Sequence, residues 1–288
     1  MSHYKKKFKT VDISNHDNII LRFLYGSIVG RLILKITIHP VISKIGGAVL
    51  SCSFSRYFIP SFIVNNHIDM RRYRRENYRS FNQFFTRKLK GKQRRLANSL
   101  LMQAPCDGKL TAYAIKNDSC FAIKGSKYTL DSILKDQQTA QLYADGLCLI
   151  FRLMPDDYHR YSYIDDGLIR SHKKIKGVLH TVRPVAFENF DVYHENAREW
   201  TLIETKNFGK VVQIEVGALM VGKIKNKNVV SHVSKGEEKG FFEFGGSTII
   251  LLFQKDAVTI DNAIWKNTSL NKETVILHGD VIGSSKSR

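Results

Sequence analysis

One stretch near the C-terminal end constrains the fold more than any other: Phe241-Phe242-Glu243-Phe244-Gly245-Gly246-Ser247-Thr248-Ile249-Ile250-Leu251-Leu252-Phe253. Aromatic and β-branched residues on both sides read as two buried strand segments. Paired glycines inside such a run leave nothing to pack, so they mark a bulge or a close backbone approach. A hydroxyl placed directly after them can reach the carbonyl of Gly246. Two readings follow, a β-turn with a Ser-Thr end and a self-processing serine, and this stretch alone leaves both open.

The remaining texture divides the chain in two. Beyond residue 98, short β-rich runs alternate with Gly, Asp and Asn: Lys109–Ile115, Leu147–Leu153, Gly177–Val185, Trp200–Glu204, Lys210–Val216, Gly240–Phe244 and Thr248–Phe253. Such spacing predicts an antiparallel β-rich body over 99–288, a barrel or sandwich. Residues 1–98 read as a basic helical region, so the fold class expected is α+β. The first 100 residues hold 20 Lys+Arg against 4 Asp+Glu, which places +16 of the net charge of +19 there. That asymmetry points to an anionic partner, either lipid headgroups or nucleic acid.

From Asn18 to Leu50 the chain is apolar but broken by Arg22, Arg31, Lys35, His39 and Pro40. A spanning helix needs about 20 predominantly apolar residues and tolerates central charge poorly. Helices lying in the membrane interface fit better, and a pair of core helices covering the body is the alternative. Arg71, Arg72, Arg74, Arg75 and Arg79 follow, with only Glu76 among them to oppose their charge. Tyr73 and Tyr78 would suit RNA stacking, but no RNP, KH or zinc pattern accompanies them, so nucleic acid is not the expected partner. Cys52, Cys106, Cys120 and Cys148 form no CxxC pair and no metal-like spacing with His, and read as buried thiols of a reducing compartment. No signal peptide fits the lysine-rich start.

Two further segments carry candidate chemistry. Ala104-Pro105-Cys106-Asp107-Gly108-Lys109 is a turn entering a strand, ordinary as structure. Leu153-Met154-Pro155-Asp156-Asp157-Tyr158-His159-Arg160-Tyr161 puts a His and an Arg directly after an apolar strand. Asp, His and Ser in one chain do not make a triad without geometry.

Taken in order, these motifs resemble the phosphatidylserine decarboxylase family of the pyruvoyl-dependent, bacterial type. The ordered set is Phe81-Asn82-x-Phe84-Phe85-x-Arg87, Pro105-x-Asp107-Gly108, Asp157-Tyr158-His159-Arg160, Val216-Gly217-Ala218-x-x-Val221-Gly222 and Phe244-x-Gly246-Ser247-Thr248. The resemblance covers roughly residues 70–285. It implies an inactive precursor in which Ser247 attacks the carbonyl of Gly246, giving chains 1–246 and 247–288 that stay associated. Ser247 would become the pyruvoyl group, the covalent cofactor, with no metal. A weak hydroxyl nucleophile needs a base, for which the resemblance implies His159, with Asp107 as the carboxylate that orients it. Decarboxylation leaves a carbanion, and the pyruvoyl carbonyl supplies the electron sink that no side chain offers. A His would then return a proton at the α-carbon. The substrate implied is phosphatidylserine in an anionic membrane, and the products are phosphatidylethanolamine and CO2.

One departure stands out. The family commonly shows His-Arg-x-His, and here the sequence is His159-Arg160-Tyr161-Ser162. Either His159 serves both self-cleavage and decarboxylation or another histidine, such as His180, is recruited. The protein is expected at the cell membrane, peripheral on its cytoplasmic side, with room for a homo-oligomer. A non-catalytic membrane-binding homologue and a decarboxylase of another serine-headgroup lipid remain the alternatives.

Overall fold

A computed structural model describes residues 8–12, 19–91, 98–123, 126–187, 190–219, 223–227, 231–245 and 247–286. Gly246, half of the expected cleavage site, lies outside the described residues, as do Val221 and Gly222. The class is α+β, built on one nine-stranded sheet in which every neighbouring pair is antiparallel. Its order is Lys9–Asp12, Lys272–Ile276, Gly108–Ala114, Leu147–Leu153, Ser247–Phe253, Lys210–Gly217, Arg198–Thr205, Gly167–Ile175 and His232–Val233. The sheet is open, so the expected barrel does not close. Residues 9–12, within the stretch read as helical, supply one edge strand.

The middle of the sheet follows directly from composition. Leu147–Leu153 and Ser247–Phe253 are buried at every position, and most of each is a continuous apolar run, 147–151 and 249–253, rather than an alternating one. The expected strand at Gly177–Val185 is absent. Pro184 starts a short helix there, Pro184–Phe187, and only Val178 makes an isolated bridge, to Asn196. In its place Gly167–Ile175 forms a strand that periodicity did not reveal, since Arg170, Ser171, His172, Lys173 and Lys174 are all polar.

Phe241 and Ser247 belong to different sheets. Glu238–Phe242 sits in a three-stranded sheet between Ile224–Asn226 and Arg160–Ser162. The chain therefore passes from one sheet to another between Phe242 and Ser247, and the two strands do not form a hairpin. Gly245 takes φ +137°, a conformation open to glycine but strained for other residues.

Five helical segments between Ile19 and Asn65 lie against this body. Ser27 caps the second, its Oγ accepting from Gly30 N at 2.9 Å, and Pro40 occupies the first turn of the third. No single helix among the described residues is long and apolar enough to cross a membrane. Ile28–Thr37 and Pro40–Ser51 pass that test only together, across a 69° bend. Ile19, Ile20, Phe23, Leu32 and Ile36 are exposed, whereas Tyr25 turns inward and is buried. Its hydroxyl accepts from Thr181 N at 2.9 Å.

A buried polar network joins the two sheets. Lys239 and Glu215 are both fully buried and pair at 2.5 Å. Asn226 Nδ2 donates to Glu215 Oε2 at 3.1 Å and to Glu199 Oε2 at 3.0 Å, and Tyr161 donates to Asn226 Oδ1 at 2.9 Å. Lys239→Met strands the Glu215 charge in the interior and is expected to cost about 3–5 kcal/mol in urea unfolding. Lys239→Met with Glu215→Leu should recover most of that loss. A single variant as stable as the parent would show that the pair carries no such burden.

Candidate active site

Ser247 opens the central strand between Leu153 and Gly217. Its Oγ and that of Thr248 are buried without a hydrogen-bond partner among the described residues. Unpartnered buried hydroxyls are uncommon and call for an explanation. Gly217, paired with Ser247, lets Leu179 and Ala197 pack close, because a Cβ there would lie 3.0 Å from Leu179 Cδ2 and 3.3 Å from Ala197 O. Asn196 fixes this position, donating from Nδ2 to the carbonyls of Gly217 and His180, both at 2.8 Å.

His159 is fully buried, at 0 % exposure. Its Nδ1 lies 2.9 Å from the Asp157 carbonyl. A carbonyl only accepts, so Nδ1 carries the hydrogen and Nε2 presents a bare lone pair. Nε2 is buried and has no partner among the described residues. Burial brings the imidazole pKa down to about 3, against the raising effect of the Asp157 carbonyl, and the Arg87 charge lowers it further. The Gly245 backbone lies close enough to act in the raising direction. The result is a neutral imidazole at physiological pH, next to the segment that precedes Ser247.

The short helix Phe81–Phe85 holds both parts. Ser80 caps it, accepting from Gln83 N at 3.2 Å. Phe85 packs on the His159 ring with centroids 4.0 Å apart, and Phe81 and Phe85 meet Phe244 at 5.2 and 5.0 Å. Asn82 Oδ1 accepts from Phe244 N at 3.1 Å, and Phe242 N donates to the His159 carbonyl at 2.9 Å. Arg87, also buried, donates from Nη2 to the carbonyls of Asp156 and Asp157.

Asp107 stands elsewhere than expected. It does not bond the His159 ring, because the Asp157 carbonyl already takes Nδ1. Its Oδ1 accepts from His278 N at 2.7 Å, and Arg72 Nη2 lies 3.2 Å from Oδ2. The proposed orientation of His159 by Asp107 is therefore not what the structure contains. His180 is also apart from His159. Its ring meets Tyr25 OH at 3.3 Å, Glu195 at 3.2 Å and the face of Phe190 at 4.2 Å. Arg87, Phe85, Asn82 and Gly217 belong to motifs visible in the sequence, although their duties were not. Arg72 stood out only as one of the clustered arginines, and His278 carried no signal at all.

A dry serine hydroxyl after a glycine pair, with a neutral imidazole beside the same segment, defines a candidate site that would draw its nucleophilic and acid–base groups from the chain itself. Comparison with known proteins places that class. The family model described as phosphatidylserine decarboxylase matches residues 81–283. The phosphatidylserine decarboxylase proenzyme 2 of Clostridium acetobutylicum is 44% identical, over 98% of this chain and 95% of that protein. The phosphatidylserine decarboxylase proenzyme of Fusobacterium nucleatum is 41% identical, over 92% and 91%, and that of Clostridium tetani 37%, over 97% of each. The chain belongs to the phosphatidylserine decarboxylase family.

Burial raises the Asp107 pKa from 3.8 to about 6, and Arg72 opposes the rise. Asp107 thus holds its proton more tightly folded than unfolded, so its contribution to stability declines as pH rises from about 4 to about 6. In Arg72→Gln, the opposing cation is gone and the midpoint should move higher still. Carboxyl titration by 13C NMR checks both. A parent midpoint in the usual aspartate range, or a downward shift in the variant, contradicts the assignment.

Proposed function

We propose that this chain is a proenzyme that cuts itself between Gly246 and Ser247 and then decarboxylates phosphatidylserine to phosphatidylethanolamine and CO2. The observation that carries this reading is the pair of buried atoms without partners among the described residues, Ser247 Oγ and His159 Nε2, with the Gly245 backbone acting on the His159 ring. The relatives named above are themselves called proenzymes, which supports it.

In this reading His159 Nε2 takes the Ser247 proton. Oγ bonds to the Gly246 carbonyl carbon, the C–N bond breaks and the freed nitrogen receives the proton, so an ester replaces the amide. Elimination across the Ser247 side chain releases chain 1–246, and hydrolysis with loss of ammonia leaves a pyruvoyl group at residue 247. Ser247 fits that fate, since its Oγ is buried and has no hydrogen-bond partner among the described residues. The pyruvoyl carbonyl supplies the electron sink for decarboxylation. His159 then stands as a proton carrier for the second reaction. Chain 247–288 would stay in place, because its strand is paired on both edges and 0 % exposed from Ser247 through Phe253.

The exposed apolar helices and the basic surface beside them suit a peripheral position on an anionic, cytoplasmic leaflet. Two of the five arginines are occupied otherwise: Arg72 by Asp107 and Arg71 by Asp69 at 2.8 Å.

Intact mass is the direct test of self-cleavage. Fresh protein run denatured should give a 42-residue piece starting at position 247, blocked at its N-terminus and reactive with hydroxylamine. Ser247→Ala should remain a single chain of 33.0 kDa and be inactive. His159→Ala should accumulate precursor, since general-base help is worth a factor of about 10²–10⁴. Turnover of phosphatidylserine by an uncut chain without a carbonyl adduct defeats the reading.

Membrane attachment has its own measurement. Replacing Arg74, Arg75 and Arg79 by Gln should weaken sedimentation with phosphatidylserine vesicles by about 1 kcal/mol per residue at low salt, and by less at high salt. Equal binding by parent and variant counts against docking on this face.

A further inference from the structure

Decarboxylation of an amino-acid headgroup has a proton balance that self-cleavage lacks. When the bond from the α-carbon to the carboxylate breaks, CO2 leaves and that carbon must take up one proton. Each turnover therefore draws one proton from water. His159 is 0 % exposed and is not among the residues lining the large cavity nearby, so it needs a route by which its proton is replaced.

The cavity has a volume of about 840 Å³, and Arg74, Lys88, Tyr158, Arg160, Ser162 and His278 are among the residues that line it. His278 Nε2 lies 3.1 Å from Ser162 Oγ, at the position where the family's pattern would carry its second histidine. The ring also packs edge-on against Tyr158, the residue before His159, with centroids 5.7 Å apart. Its loop is fixed to the segment that carries Asp107. His278 N donates to Asp107 Oδ1 at 2.7 Å, Gly279 N to Ala104 O at 3.0 Å, and Leu277 N to Asp280 Oδ2 at 2.9 Å. Ser162 N in turn donates to Pro105 O at 2.9 Å. One imidazole thus faces water, backed by the strand and turn that carry the buried one.

We propose that His278 is the proton inlet of the mature enzyme, passing protons from the cavity water toward His159 by way of the Ser162 side. This rests on the decarboxylase reading given above. The sequence departure at Ser162 then has a physical account: the second imidazole is present in space, supplied from the C-terminal segment. Asp107, Arg72, Glu238 and Tyr158 are the charged or titratable groups acting on or packed against this ring. Burial and the Arg72 charge hold His278 neutral, with a pKa brought down to about 4 and Glu238 opposing. It therefore carries a proton in transit and does not store one, accepting at one ring nitrogen as it releases from the other.

The test uses the self-cleaved enzyme on phosphatidylserine–detergent mixed micelles at fixed pH, with imidazole added over a range of concentrations. His278→Gln keeps a hydrogen-bonding group toward Ser162 but cannot titrate, and His278→Ala opens space for free imidazole. Both variants should cleave like the parent by intact mass. Their kcat should fall about tenfold or more, below the ~10²–10⁴ expected for a group acting directly on substrate, with KM unchanged. Added imidazole should restore the Ala variant toward the parent rate and leave the parent unaffected. Parent-like kcat in His278→Gln overturns the proposal, as does a loss that imidazole does not restore or a failure of these variants to cleave. A parent that does not cleave at all overturns instead the decarboxylase reading beneath it.

Discussion

The hydrogen bond from His159 Nδ1 to the Asp157 carbonyl decides which ring nitrogen has a lone pair to offer. Much of the surrounding structure serves to keep that carbonyl still. Lys109 Nζ holds both carboxylate oxygens of Asp157 at 2.8 Å, and Met154 N donates to Oδ2 at 2.7 Å. Arg87 Nη2 shares the same carbonyl at 3.2 Å, with its guanidinium over the Tyr73 ring at 4.4 Å. A backbone acceptor of this kind sets the tautomer without placing a full negative charge beside the ring. Burial can then keep the imidazole neutral, since the carbonyl raises its pKa less than burial lowers it.

The strands most legible in the sequence are those with long apolar stretches. Leu147–Leu153 and Ser247–Phe253 announce themselves because apolar residues fill most positions on both faces, and Lys210–Gly217 because valine and isoleucine recur along it. Gly167–Ile175 does not, since its pairing partners set its conformation while its side chains face largely polar surroundings. The active-site residues divide in a similar way. Ser247 and His159 are marked by local context, a glycine pair and the end of an apolar strand. Arg72 and His278 reach Asp107 across 35 and 171 residues, and no local pattern encodes such a meeting. The Asp107 expectation failed for that reason: the carboxylate was recognisable, but its partner was a matter of topology.

The N-terminal helices show the same limit from another side. Their charges and broken apolar run suggested helices, yet the run did not disclose that Tyr25 would turn inward. Its hydroxyl meets His180 and Thr181, and Asn196 carries the contact on to Gly217, across the sheet from Ser247. The face that is otherwise open to an apolar surface is thus pinned, at one residue, to the strand beside the serine. The N-terminal region is joined to the body at close range.

The serine strand occupies the middle of the sheet but comes near the end of the chain. Synthesis runs from the N-terminus, so Leu147–Leu153 and Lys210–Gly217 exist before the strand that separates them. Until the last segment is made, those two strands have no shared partner and Ser247 has no dry place to occupy. The buried setting of Ser247 is therefore complete only after residues 247–253 have been made. A polypeptide that stops short of residue 253 leaves those two strands without the neighbour that lies between them, and their apolar faces incompletely covered.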